Sequence, residues 1–172
     1  VAACLNCLGV LHFHRHADDG ADKTMDLLKQ SLAVYRKCLG SLMTKEVATV
    51  LNNIGRVYYL WSEYEQALEI YGEALKIRTL LLGKNSLDVA ATMYNTGQTH
   101  HQMSQFDEAM EYYDGFLELA KARLGTESRD VAIVYRCIAE IHHERGDLKK
   151  ALVVFQNALQ SGRASLGNLH PE

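Results

Sequence analysis

The stretch Val47-Ala48-Thr49-Val50-Leu51-Asn52-Asn53-Ile54-Gly55-Arg56-Val57-Tyr58-Tyr59-Leu60-Trp61-Ser62-Glu63-Tyr64-Glu65-Gln66-Ala67-Leu68-Glu69-Ile70-Tyr71 holds two helical patterns with a break between them. Val47, Val50, Leu51, Ile54, Val57 and Tyr58 recur at the i, i+3, i+4, i+7 rhythm of a one-sided helix. Ser62-Glu63-Tyr64-Glu65 has the form of a capping box, with the serine hydroxyl on a free amide and Glu65 reaching back. The next periodic run carries Ala67, Leu68, Ile70, Tyr71, Ala74, Leu75 and Ile77, and it ends at Gly83. Glycine closes helices there by taking a left-handed conformation.

Outward from this pair the pattern repeats. Leu-Gly recurs at Leu39-Gly40, Leu82-Gly83, Leu124-Gly125 and Leu166-Gly167, with spacings of 43, 42 and 42. Val-Ala recurs at Val47-Ala48, Val89-Ala90 and Val131-Ala132, and Val1-Ala2 lies 46 residues before the first of these. The longer first interval falls in the polar stretch His14 to Gly20, which reads as a lengthened turn. Four units of about 42 residues are therefore expected, over 1–46, 47–88, 89–130 and 131–172, forming a single array. The third carries Ser104-Gln105-Phe106-Asp107 at its turn, and the fourth carries Gly146-Asp147.

Residues that match between units are those that packing demands. Gly55, Gly97 and Ala139 share one position, as do Ala67, Ala109 and Ala151, and Tyr71, Tyr113 and Phe155 share another. Small residues let paired helices approach, and the aromatic fills the space between them. A helix pair of this size cannot bury its apolar face alone, so neighbouring pairs must stack.

This pattern of small, small, aromatic on two helices resembles the tetratricopeptide repeat. Leu51-Asn52-Asn53-Ile54-Gly55 and the Leu-Gly to Val-Ala linkage are similar to the long repeats of kinesin light chains. The resemblance implies an all-α, right-handed superhelical solenoid of four helix-turn-helix repeats whose first helices line a concave face. Kinesin light chains place an Asp-His-Pro-like turn before Val-Ala, and here only His170-Pro171-Glu172 keeps the histidine and proline. The coiled coil that joins light chains to the motor is not in this sequence, so motor association is not carried over.

In related arrays the concave face holds an extended peptide. The residues that line it here are Asn6, Asn52, Tyr94 and Arg136 in one row, and Val10, Arg56, Gln98 and Glu140 in the next. Phe13, Tyr59, His101 and His143 lie one turn further. Asparagine amides both donate and accept, which suits a peptide backbone. Arg56 and Arg136 suit acidic groups, while Tyr59 and Tyr94 suit side-chain stacking. Arg136 and Glu140 are four apart and are expected to pair with each other. The rows hold too few Lys, Arg and Asn residues for a clamp on a chaperone tail.

Composition excludes other classes. The 172 residues hold one proline, Pro171, and 48% hydrophobic residues, which argues against collagen, disorder and disulfide scaffolds. Eighteen Lys and Arg against 21 Asp and Glu, net charge −3, make no nucleic-acid footprint. No apolar run is long enough to span a membrane. Cys4, Cys7, Cys38 and Cys137 form no disulfide framework, which favours a reducing, cytoplasmic setting. Cys4 and Cys7 read as small, partly buried residues of the first helix rather than a redox site.

His12, His100 and His142 share the position of Tyr58 and are expected to pack between paired helices, while His14 and His16 fall in the inserted turn. No zinc motif is present, and no catalytic site or cofactor is expected. The last helix is expected to expose some of Leu152, Val153, Val154, Phe155, Leu159 and Leu166. That predicts end-to-end association of copies, or a continuation in a longer protein of which this chain is a four-unit piece. The expected function is a non-catalytic scaffold that binds a protein or peptide partner in its groove. The alternatives are a structural spacer acting through its ends, the regulatory or sensor region of a larger signalling protein or enzyme, and a cargo adaptor of the kinesin-light-chain kind.

Overall fold

The computed structural model describes residues 1–15, 21–39 and 43–167. Among them every regular element is a helix: α1 (Ala2–Arg15), α2 (Ala21–Leu39), α3 (Lys45–Leu60), α4 (Tyr64–Leu82), α5 (Leu87–Gln102), α6 (Phe106–Leu124), α7 (Arg129–Glu144) and α8 (Leu148–Gly167). Four helix pairs follow one another, as the repeat requires. The chain divides into two units, Val1–Thr92 and Met93–Glu172, with the boundary inside α5.

In the first unit α1 packs on α2, α2 on α3, and α3 on α4. Its core is formed by Met25 and Leu28 of α2, Val47, Val50, Leu51, Ile54 and Val57 of α3, and Ala74 and Ile77 of α4. Each such aliphatic side chain contributes roughly 1.5–3 kcal/mol when fully withdrawn from water. The shared small residues do what the register requires. A Cβ placed on Gly55 would lie 2.5 Å from the ring of Tyr71, so α3 and α4 meet at the glycine backbone. In the second unit α6 packs on α7 and α7 on α8. Gly97 faces Tyr113 in the same way, with a closest approach of 2.8 Å to a built Cβ.

The ends of the helices depart from expectation. Ser62 and Ser104 do not cap the following helices; they adopt φ of 60° and 58°, the left-handed region. Their backbones close the preceding helices instead. Ser62 N–H donates to Tyr59 O and Glu63 N–H to Tyr58 O, both at 3.0 Å. His101 O and His100 O accept equivalent bonds from Ser104 and Gln105. Gly146 makes the same turn at φ 81°. The residues that precede α4 and α6, Glu63 and Gln105, make no side-chain cap. The reason is geometric: a left-handed residue that ends one helix cannot also stand as the extended cap of the next.

Hydroxyl caps lie at the other linkers. Thr44 Oγ1 accepts from Val47 N–H at 3.2 Å, and Ser128 Oγ accepts from Val131 N–H at 3.3 Å. Gly83 and Gly125 do take positive φ, 77° and 85°, but with ψ of 162° and 166°. That is the extended region open to glycine alone, not the left-handed helical one. Helix α1 runs through Arg15, so His14 lies in the helix rather than in a turn. His16, Gly40, Leu42 and Pro171 lie outside the described residues.

Candidate functional site

The candidate groove residues sit on the first helix of each pair, and each unit presents its own set. In the first unit Asn6 stands on α1, and Asn52, Arg56 and Tyr59 on α3. Asn6, Arg56 and Tyr59 are half-buried, whereas Asn52 is 8% exposed and sits behind them. Asn53 Nδ2 donates to Asn6 Oδ1 at 3.0 Å, tying α3 to α1 through two amides. Asn53 is a contributor that the row assignment missed, since nothing in a spacing of 47 residues marks it. Val10, Thr24, Leu28, Asn53 and Arg56 line a small open pocket of about 10 Å³, room for one water. The Tyr59 ring lies 5.8 Å from that of Tyr64.

Arg56 also acts on the core beneath it. Burial pushes the Tyr71 phenol well above the ordinary tyrosine range, and the Arg56 charge offsets only part of that.

In the second unit Tyr94, Gln98 and His101 lie on α5, and Arg136, Glu140 and His143 on α7. The Arg136 guanidinium pairs with Glu140 Oε1, as their spacing predicts. Tyr94 is half-buried, its ring 6.2 Å from Tyr113 and 5.9 Å from Phe116. His101 Nε2 meets Glu144 Oε1 at 3.1 Å, so α5 is joined to α7. Next to it Arg145 donates to Asp107 Oδ1 at 2.5 Å and lies 5.5 Å over the Phe106 ring. His143 is exposed and makes no part of this set. The net result is that cationic and acidic groups on this unit largely neutralise each other, while the first unit keeps its amides and Arg56 at the half-buried level.

His12 and His100 pack against the partner helix of their pair, as expected, and His142 lies half-buried beside the turn that leads into α8. His12 Nδ1 is 3.3 Å from Thr24 Oγ1. His100 stacks on Tyr112 at 5.5 Å and reaches Gln105 Oε1 at 2.6 Å. His142 Nδ1 lies 4.0 Å from Asp147 Oδ2. Among the described residues no three His, Cys, Asp or Glu side chains converge as a metal site.

The cysteines differ from expectation. Cys4, Cys7 and Cys38 are exposed and Cys137 is buried. The α1 thiols stand on a face that carries Leu8 and Leu11 at 53% and 65% exposure, a face no other described element covers. Burial raises the Cys137 thiol pKa, against the pull of Arg136. No helix among the described residues is long and apolar enough to cross a membrane.

Comparison with known proteins agrees with this geometry. The structure superposes on BtubC from P. vanneervenii with a TM-score of 0.82 at 25% identity, covering 99% of this chain and 65% of that one. The chain thus spans just under two thirds of that relative's length. The kinesin-light-chain-like array of nearly identical TPR-like repeats from Podosopora anserina matches at TM-score 0.80 and 16% identity, over 99% of this chain and 81% of the other. A Rap protein complexed with Competence and Sporulation Factor matches at TM-score 0.82 and 17% identity, over 98% and 44%. No curated protein matches the sequence. The family profile of the tetratricopeptide repeat matches residues 1–78 and again 46–122. Over most of its length, then, the chain belongs to the tetratricopeptide repeat family.

Proposed function

We propose that this chain is a non-catalytic, cytoplasmic protein-interaction scaffold, one array of four repeats whose first helices bind an extended segment of a partner. The observation that carries this reading is the half-buried set on α1 and α3. Asn6, Asn53, Arg56 and Tyr59 are polar or aromatic where a pure packing face would be aliphatic, and two of them already exchange an amide hydrogen bond. Backbone carbonyls and amides of a ligand meet the asparagines, and Arg56 takes an acidic group. The second unit has a set of its own, Tyr94, Gln98, His101 and His143, where the Arg136–Glu140 pair adds polarity rather than net charge. A Rap protein of similar fold holds a named partner, which supports partner binding by this architecture. The free thiols exposed at Cys4, Cys7 and Cys38 favour a reducing compartment.

A peptide array probed with wild type and with Asn53→Ala/Arg56→Ala tests the groove. The variant is expected to lose at least tenfold in signal on the spots that wild type binds. Equal signals from both would remove the groove from the mechanism.

A second reading has its own observation. Phe155 and Leu159 of α8 are 38% and 53% exposed, while Tyr71 and Tyr113 at the register position of Phe155 are 1% and 0% exposed. Such a face supports end-to-end association of copies, which light scattering reads as mass that rises with concentration. A constant monomer mass would end that reading.

A further inference from the structure

The first unit carries an apolar cluster that neither its packing nor the groove uses. Leu80, Leu81 and Leu82 end α4 and Leu87 begins α5, with exposures of 63%, 47%, 37% and 43%. The repeat supplies an internal control. The positions of Leu80, Leu81 and Leu87 are filled by Ala122, Arg123 and Arg129 one unit later, and by Lys37, Cys38 and Lys45 one unit earlier. All six of these are exposed, so the positions face water in the units on either side; in the fourth unit the matching Ala164 and Ser165 are small and half-buried. The fold does not ask for leucine there. Only Leu82, matched by Leu124, belongs to the common linkage.

The helix ends that carry the four leucines are also tied to each other. Arg78, itself 5% exposed, donates to Asp88 O at 2.7 Å and to Thr92 Oγ1 at 2.6 Å. These bonds fix the start of α5, which carries Leu87, against the last turns of α4. Exposed lysines flank the cluster: Lys76 lies one turn before Leu80 on α4, and Lys84 follows Gly83. Neither makes an ion pair among the described residues, while the nearby acids Glu73 and Asp88 are taken by Arg36 and Lys45 at 3.9 and 3.2 Å. The patch is therefore apolar at its centre and positive at its rim.

We propose that this surface docks an amphipathic helix of a partner protein, with an apolar stripe against Leu80, Leu81 and Leu87 and acidic residues opposite Lys76 and Lys84. Apolar area supplies the attraction, and the charges set orientation and choice of partner. The site lies on the α4–α5 linkage and shares no residue with the groove set.

The test uses a fluorescein-labelled 18-residue helical peptide with leucines on one face and glutamates on the other. A matched peptide carries lysine in place of every glutamate. Fluorescence anisotropy is read with wild type, with Leu80→Ser/Leu81→Ser/Leu87→Ser, with Lys76→Glu/Lys84→Glu, and with Arg56→Ala as a groove control. All the patch residues are exposed, so the helical circular dichroism and melting of the variants should match wild type. The glutamate peptide is expected to bind wild type and the groove control equally. It should weaken at least tenfold on the serine variant, and the lysine peptide should prefer the charge-reversed variant. Equal binding to wild type and the serine variant would overturn the proposal, as would loss of binding only in the groove control. So would wild-type self-association, or adsorption to phosphatidylserine vesicles, that the serine variant abolishes while the glutamate peptide fails to bind.

Discussion

The second helix pair, α3 and α4, and the fourth, α7 and α8, are written on the same register, yet they bury it differently. Tyr71 is 1% exposed against the backbone of Gly55, while Phe155, at the same register position, is 38% exposed. Leu159 is 53% exposed, and Leu75 at its register position is half-buried. First helices agree more closely: Val47, Val50 and Val57 of α3 and Val131, Val134 and Ile141 of α7 are all fully buried. A repeat sequence thus specifies a packing surface, and a neighbouring element decides whether that surface becomes core.

Several substitutions would break or sharpen the comparison. The largest difference should come from the shared aromatic. Tyr71→Ala should cost about 3–5 kcal/mol by leaving a cavity between α3 and α4, and Phe155→Ala well under half of that. Urea unfolding of both variants checks this, and equal costs would mean that α8 is covered in solution. Next is the shared small position. Gly55→Ala drives a methyl into a ring that cannot move aside, and should cost about 1–3 kcal/mol. The reverse change in the fourth pair, Ala139→Gly, meets no such ring and should cost only about 1 kcal/mol, the helical penalty of glycine. Thermal melts separate the two.

A smaller effect of opposite sign is expected at the turns. Ser62→Gly gives the second pair what Gly146 already gives the fourth, and relief of the left-handed strain at φ 60° should stabilise by about 1 kcal/mol. A fall in melting temperature would show that the serine side chain matters more than its backbone. The subtlest comparison is between Cys7 and Cys137, which share a register position. Cys7 is exposed, whereas burial of Cys137 raises its thiol pKa and lowers the thiolate fraction at neutral pH. Iodoacetamide at pH 7.5 should modify Cys4, Cys7 and Cys38 at least tenfold faster than Cys137, as read by peptide mass spectrometry.

Much of the fold was legible because a period of 42 residues makes the same environment speak repeatedly. Ala67, Ala109 and Ala151 agree in identity, and they agree in burial at 0%, 0% and 3% exposure. Turn conformation was less legible. Serine is a good cap by propensity, and nothing in its identity marks a positive φ; only Gly146 at the matching position hints at it. In the candidate site the Arg136–Glu140 pair followed from a spacing of four on one helix. Contacts such as Asn6 to Asn53, or His101 to Glu144, depend on where two helices come to lie, which spacing along the chain does not encode. The leucines at 80, 81 and 87 escaped for another reason. Leucine in a helical rhythm reads as core, and only solvent exposure in the folded chain separates it from a surface patch.

Gly83 and Gly125, with their positive φ and extended ψ, place the backbone in nearly the mirror image of an ordinary extended L-residue. At these two linkers the chain is built as though its chirality were reversed. A D-alanine introduced there by semisynthesis would fit the existing path and stiffen it, whereas L-alanine would have to abandon that path. The backbone path out of α4 and out of α6 therefore rests on two residues that have no handedness of their own.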